Sequence, residues 1–373
     1  MKVLYLHSEP CGSDKANLIQ VKAMCKAMSE KGMSVVLSLP AGKAQSRAKF
    51  AGTASYDLAI REPLLPGVKI SKYLDCRGIR RTIRDSGPEV IYLRNPLLLR
   101  QAAPTGIPLI LELHDAVLHH GYPLLHVYWK RYLRKITASE QLTKVVCISD
   151  ALARHWISEG IPASKIITAH DAIDGKQFAG VLSPETARNV LDLPVDGSIV
   201  TYVGRLYEDR RIDVIFSLAR AFEDTLFLVA GGPDSESRKL AELAATKQIH
   251  NIRFTGQIPH HRVPAYLYAS DVLLGLWSSE VRTINFCSPL KVFEYMASGR
   301  KIVAQGFPTI LEVLSDGINA VIAAPDSEED LISKVGIALR SDGLETLGKK
   351  ARLDVLSTHT WEKRISRIFE GIL

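Results

Sequence analysis

The sequence holds no apolar run near the roughly 18–20 residues of a membrane-spanning helix, so no such helix is expected in its 373 residues. Cysteine is sparse: Cys11, Cys25, Cys76, Cys147 and Cys287 are scattered, odd in number and never arranged C-x-x-C. That usage argues against a zinc ribbon or a disulfide framework and favours a reducing cytosol. There is no G-x-G-x-x-G and no G-x-x-x-x-G-K-[ST], which removes the dinucleotide fingerprint and the Walker loop. Tandem repeats and low-complexity tracts are also missing. What remains is ordinary globular material, 46% hydrophobic and 23% charged, in a chain long enough for two domains. Met1–His7 reads as a buried strand; a secretory leader would need a longer apolar stretch and a small-residue cleavage site.

The formal charge of +7 is unevenly spread. Residues 1–190 carry 26 Lys/Arg against 16 Asp/Glu, and the remainder carries 21 against 24. A basic first half joined to a slightly acidic second half suggests two domains with different partners. Nucleic acid, an anionic membrane or a phosphorylated ligand would each suit the basic half. Short apolar runs alternate with longer amphipathic ones. Strands are expected at 3–7, 34–39, 56–60, 90–93, 107–113 and 145–148, with helices at 16–31, 70–85, 124–141 and 150–159. Ser149 is placed to cap the last of these. The pattern pauses at 179–198, then resumes with strands at 199–203, 226–230, 252–255 and 272–276 between helices at 212–222, 235–245 and 262–268. Runs at 292–297, 301–304, 320–323 and 331–339 continue it, and Trp361–Ile372 has helical spacing. Apolar strands separated by amphipathic helices predict parallel sheets covered on both faces. The simplest architecture is α/β, two Rossmann-like halves: residues 1–180, a linker at 181–197, residues 198–355, and a terminal helix at 356–373 packing back toward the first half. The cleft between the halves is the default ligand site.

Five places could carry chemistry. The turn Ser8–Ser13 leads into a helix with Asp14 near its start, and Gly12 allows close backbone approach to a phosphate; a plain strand-to-helix loop reads equally well. Glu112-Leu113-His114-Asp115 ends a strand, where a His beside an Asp can bind a substrate hydroxyl or handle a proton; a structural His is the alternative. His119 and His120 follow without a matching ligand set, so no metal site is expected. Gly204-Arg205 and Arg210-Arg211 could converge guanidinium groups on a diphosphate, with Arg211 read as surface charge. Ala230-Gly231-Gly232-Pro233 reads as architectural. The most specific feature is Ser288–Gly299. Pro289 suits the first turn of a helix, Ser288 can cap it, and Glu294 lies on an otherwise apolar helix, where a carboxylate is costly unless paired; a ribose diol is a natural partner.

With these residues assembled, the chain resembles the retaining family-4 glycosyltransferases of the GT-B fold. The likeness runs through the first-strand glycine loop, Leu113-His114-Asp115, Val146–Leu152, Gly204-Arg205, Gly231-Gly232-Pro233, Phe254–Ile258 with Asp271, and Lys291–Gly299. It implies an acceptor on the N-terminal domain and a nucleotide-sugar, a UDP-sugar being favoured, on the C-terminal one. By motif position it implies Arg205 and Arg210 at the diphosphate, Glu294 at the ribose hydroxyls, His114 at the transferred sugar, Asp115 on the acceptor side and Gly12 at the donor phosphate. Gly204, Ser288, Pro289, Leu290 and Lys291 fall in the same donor site, and Gly256, Gln257 and Ile258 would meet the base through backbone groups. No D-x-D occurs, and cationic side chains make a divalent metal unnecessary. No cofactor beyond the donor substrate is implied.

Two departures stand out. Phe286 occupies the position eight before Glu294 where the family has a first glutamate, which leaves the donor sugar open. Ser288-Pro289-Leu290-Lys291 resembles a subset linked with envelope polysaccharides. The other departure is His170-Asp171-Ala172-Ile173-Asp174, where the family reads P-N-G-V-D. The expected reaction is departure of the diphosphate, stabilised by arginines and helix N-termini, with attack on the same face of the sugar. Other GT-B activities stay open, namely transfer to a small soluble acceptor, nucleotide-sugar epimerisation or binding without catalysis. Residues 61–100 hold nine basic and four acidic side chains, and Tyr128–Lys135 mixes aromatic with cationic ones. Such a face suits anionic lipid headgroups and a lipid-diphosphate-linked acceptor; a solvated helix surface is the competing reading. The expected place is the cytoplasm, at the inner face of the membrane if that docking holds, with nucleic acid the least expected partner.

Overall fold

The computed structural model describes residues 1–12, 16–42, 55–62, 76–118, 123–206, 211–341 and 343–372. Asp14, His119, His120, Arg210 and the first part of the helix expected at 70–85 lie outside them. The chain divides into two compact units, residues 1–171 with 361–373, and residues 172–360.

In the first unit, Lys2–Leu6 (β1), Ser34–Pro40 (β2), Asp57–Arg61 (β3), Val90–Leu93 (β4), Leu109–Leu113 (β5), Leu142–Cys147 (β6) and Ile166–Thr168 (β7) form one parallel sheet in the order β3-β2-β1-β4-β5-β6-β7. The inner strands are apolar at successive positions, and Val3, Leu4, Tyr5 and Leu6 are fully buried, as a strand covered on both faces requires. Leu4 sits between Val36 on one side and Ile91 on the other. β1 is therefore the strand at which the chain order reverses, and ligands of such sheets bind beyond its carboxyl end. The connecting helices are Ala16–Glu30 (α1), Cys76–Ser86 (α2), Leu99–Ala102 (α3), Pro123–Thr137 (α4) and Asp150–Ser158 (α5). Ser149 does cap α5, its side chain accepting from Leu152 N at 3.1 Å. The strand expected from residue 107 starts at Leu109, because Pro108 has no N–H to give the ladder. β7, three half-buried residues, carries too little periodicity to be read in advance.

The helix Trp361–Phe369 joins this unit from the far end of the sequence. Trp361, Arg364, Ile365, Ile368 and Phe369 are buried, an i, i+3, i+4, i+7, i+8 stripe that defines one apolar face. Phe369 stacks on Tyr92 at 6.4 Å.

The second unit is built on Ser198–Val203 (β8), Thr225–Ala230 (β9), Ile252–Phe254 (β10), Val272–Gly275 (β11), Lys301–Gln305 (β12) and Val321–Ala323 (β13), parallel and ordered β10-β9-β8-β11-β12-β13. Strand residues alternate between two cores. Ile199, Val203, Leu228, Ala230 and Leu273 face one, and Val200, Tyr202, Phe227, Val229, Val272 and Leu274 face the other. Helices Pro184–Val190 (α6), Val263–Tyr268 (α9), Leu290–Ser298 (α10) and Glu345–Thr358 (α12) contribute to the first core. Val214–Ala221 (α7), Asp234–Thr246 (α8) and Glu328–Arg340 (α11) contribute to the second. The terminal helix Trp361–Phe369 is hereafter α13. Buried Arg188 of α6 pairs with Asp271 at 2.7 Å, and Asp271 also accepts from Ile199 N at 2.7 Å. That aspartate therefore anchors the start of β8. α12, unread in the sequence, packs close to the end of α10 because Gly348 has no Cβ to meet the backbone of Gly299 and Arg300.

Candidate functional site

In the second unit, three loops at the carboxyl ends of β8, β9 and β10 are joined through glycine. Gly204 N donates to Ala230 O at 2.9 Å, and Gly231 N donates to Gly256 O at 2.9 Å. Gly204 and Gly231 have φ of 152° and 111°, which L side chains rarely adopt. A Cβ on Gly231 would lie 2.6 Å from Gly204 O, and one on Gly204 would lie 2.8 Å from Lys291 Nζ. The Lys291 ammonium sits over the Tyr202 ring at 4.1 Å and 5.3 Å from the Trp277 ring. A cation is thus held against the glycine loop by aromatic faces, at the end of a parallel sheet where ligands bind.

α10 carries that lysine and is fixed to the same strand end. The buried Tyr295 hydroxyl accepts from Val203 N at 2.8 Å and donates to Val203 O at 3.3 Å. Glu294 lies three residues beyond Lys291, so the two share a helix face. Its side chain is 13% exposed, and Oε1 is 2.7 Å from His260 Nε2. That hydrogen bond, together with the carboxylate charge and against the opposing effect of burial, raises the His260 pKa above its ordinary value.

The expected cap is corrected. Ser288 is buried, but Pro289 takes the capping position in extended conformation, φ −74° and ψ 117°, and no side chain caps the helix. α10 starts at Leu290, one residue later than the spacing implied, which puts Ser288 out of the capping position. Arg205 is exposed, and its carbonyl accepts from Tyr202 OH at 2.9 Å. In the segment 256–258, Gly256 O is taken by Gly231 N, and Gln257 N donates to Asp234 Oδ1 at 3.0 Å. Those two backbone groups serve the loop itself.

In the first unit, His114 ends a buried polar network. Its Nε2 is 2.5 Å from Glu112 Oε1, and its Nδ1 is 3.2 Å from Arg94 Nη2. A guanidinium only donates, so Nδ1 accepts and the Nε2 proton goes to Glu112. Glu112 has no exposure and also accepts from Gln20 Nε2 at 2.7 Å, Arg364 Nη1 at 3.2 Å and the Tyr92 hydroxyl. Burial alone would raise its carboxyl; Arg364, His114 and Arg94 outweigh that and hold it well below the usual range. Burial and then Arg94 push the His114 imidazole down to about 4, so it is neutral at pH 7. Gln20 extends the network to Asp171 at 2.9 Å, and Arg94 Nε donates to Gln20 Oε1 at 2.6 Å. Asp115 turns onto its own loop, accepting from Val117 N at 3.0 Å. Gly12, with φ 85°, follows a turn in which Cys11 N donates to Pro40 O at 2.9 Å.

Two family models divide the chain. "Glycosyltransferase Family 4" matches residues 19–177, and "Glycosyl transferases group 1" matches residues 197–341. HepE of Anabaena, solved in complex with UDP-glucose, superimposes with a TM-score of 0.76 over 100% of this chain and 99% of its own, at 15% identity. The chain has the GT-B fold, and each of its halves matches a glycosyltransferase family model. An uncharacterized glycosyltransferase of Methanocaldococcus jannaschii is 24% identical over 180 residues, 46% of this chain and 45% of the relative. The 2-deoxystreptamine glucosyltransferase of Streptomyces kanamyceticus is 23% identical over 223 residues, 57% of this chain and 54% of the relative. This GT-B chain therefore spans about half the length of those curated relatives.

Sequence reasoning singled out His114, Gly204, Lys291 and Glu294 but not the partners that hold them. His260 falls in a run of ordinary loop residues, and Arg94, Gln20 and Arg364 come from three separate helices and turns. For His260 the one available signal was the unpaired carboxylate at Glu294, which required a partner somewhere.

Proposed function

We propose that this GT-B chain transfers a sugar, with retention, from a nucleoside-diphosphate sugar to a hydroxyl of a glycan or lipid-linked acceptor in cell-surface polysaccharide biosynthesis. The observation that carries the reading is the joint placement of Lys291, the Gly204 loop and Glu294 at one end of the second sheet. A diphosphate needs cations and close backbone approach, and a ribose diol needs a carboxylate with an open acceptor. The UDP-glucose bound by HepE favours a UDP-sugar. Arg205, Arg210 and Lys291 would stabilise the charge on the departing diphosphate. His114 would take the transferred sugar, and Gly12 would approach the donor phosphate. The acceptor hydroxyl would attack from the face the diphosphate leaves, passing its proton to the leaving phosphate.

The acceptor belongs to the first unit in this reading. Leu124 is 86% exposed on α4, with Leu125, Val127 and Tyr128 also exposed, and Lys130, Arg131, Arg134 and Lys135 follow on the same helix. Apolar side chains in front of a cationic stretch suit an anionic membrane that presents a lipid-linked acceptor. The name of the Streptomyces relative, a glucosyltransferase for 2-deoxystreptamine, supports a second reading with a small soluble acceptor. A panel of nucleoside-diphosphate sugars offered with a lipid-linked and with a small soluble acceptor, scored for acceptor-dependent nucleotide release and for the anomeric configuration of the product, separates the two. Inversion in the product would overturn the mechanism.

A further inference from the structure

We propose that His260 is a positioning residue that holds the Glu294 carboxylate and that its protonation sets how readily this carboxylate takes the hydroxyls of a ligand. The inference rests on the reading of Glu294 as the ribose-binding group.

The geometry is that of a shared acceptor. Tyr295 ties α10 to β8, so the helix cannot rotate to present Glu294 differently. Glu294 spends Oε1 on His260 Nε2, and among the described residues its Oε2 accepts no hydrogen bond. A vicinal diol donates two hydrogen bonds and is held best by both oxygens of one carboxylate. Where it engages both, it competes with His260 for Oε1. His260 lies on a short turn, His260–Arg262, between β10 and α9, its side chain is 42% exposed, and its own carbonyl accepts from Gln177 Nε2 at 3.4 Å. It has solvent to move into.

The displacement differs between the two states of the ring. Neutral imidazole gives up a hydrogen bond to a charged acceptor, whereas imidazolium gives up one between two opposite charges, which is the stronger. Titratable and charged groups on its own turn and on the segments it contacts are His261 and Arg262 on that turn, Tyr266 and Tyr268 on α9, Lys291 and Glu294 on α10, and Asp174 and Lys176 beside Gln177. Of these, Glu294 is the one described ion-pair partner of His260. The bond to Glu294 raises the His260 pKa, so a ligand that takes Glu294 lowers that pKa and releases a proton. Affinity therefore rises with pH across the interval between the two values, by about tenfold for each unit of separation.

The test is binding of UDP-glucose, ADP-glucose and GDP-mannose by calorimetry between pH 5.5 and 8.5, for the wild type and His260→Gln. The diphosphate diester of these probes does not titrate in that range. The expected result is affinity that rises with pH in the wild type and is flat in His260→Gln, which keeps a neutral donor at every pH. By NMR, the His260 imidazole should titrate at lower pH in Glu294→Gln than in the wild type. The same pH dependence in both proteins, or an unmoved His260 titration, overturns this inference and leaves the donor-site reading standing. Binding of none of the three at any pH overturns both.

Discussion

Arg364 on α13 sets its Nη1 3.2 Å from Oε2 of Glu112 on β5, with both side chains sealed from solvent and 252 residues apart in sequence. The same guanidinium donates from Nε to His170 O at 2.8 Å, from Nη2 to Ala169 O at 3.1 Å and from Nη1 to Met24 Sδ at 2.8 Å. The last helix of the chain thereby keeps Glu112 ionised, and Glu112 in turn fixes the ring of His114.

Breaking one side of a buried pair strands the other charge, at a cost of about 3–5 kcal/mol. Arg364→Met should destabilise the protein by that order in urea unfolding. Arg364→Met combined with Glu112→Gln should cost clearly less than the two singles together, because no charge is left alone. Strict additivity would show that the pair is not coupled.

The same network makes stability depend on pH with two opposed signs. His114 titrates near 4 when folded, against about 6.5 unfolded. The unfolded chain therefore binds the extra proton, and this contribution, present above pH 6.5, is lost as pH falls toward 4. Burial, opposed by Arg364, raises Asp171 to about 6, so its contribution is present below pH 4 and lost as pH rises through 6. His114→Gln should make thermal stability less sensitive to acid between pH 6.5 and 4, and Asp171→Asn should make it more sensitive. Unchanged profiles in both variants would contradict the assigned protonation states.

At the second sheet, a Cβ on Gly204 meets both Lys291 Nζ and the Tyr202 hydroxyl. Gly204→Ala should push the ammonium off its aromatic seat, and Lys291→Met should remove it. Loss of a group that stabilises a leaving charge costs about 100-fold in turnover. Both variants are expected near that figure, with Lys291→Met keeping the wild-type melting temperature. Full turnover in Lys291→Met would remove this lysine from the reaction.

On α4, Leu124→Glu together with Leu125→Glu should reduce sedimentation with anionic vesicles and leave transfer to a soluble acceptor unchanged. Wild-type binding that is indifferent to salt would speak against the cationic half of that surface.

The contiguous apolar strands, the Ser149 cap and the glycine-marked strand ends were legible because each is a local pattern: a run, a spacing, a turn. β7 and α12 were not, since one is three residues long and the other owes its place to Gly348 beside Gly299. The site was legible one residue at a time. His114 and Glu294 stand in recognisable contexts, whereas Arg364, Gln20 and His260 matter only through partners that folding supplies. The Ser288 cap failed for a local reason: proline held the backbone extended one residue further than expected.

Turnover of a nucleoside-diphosphate sugar by wild type, Glu294→Ala and Arg205→Ala, with circular dichroism to verify folding, tests the central claim most directly. The expected result is acceptor-dependent release of nucleoside diphosphate by the wild type and its loss in both folded variants. Undiminished release in both would contradict glycosyl transfer at this site.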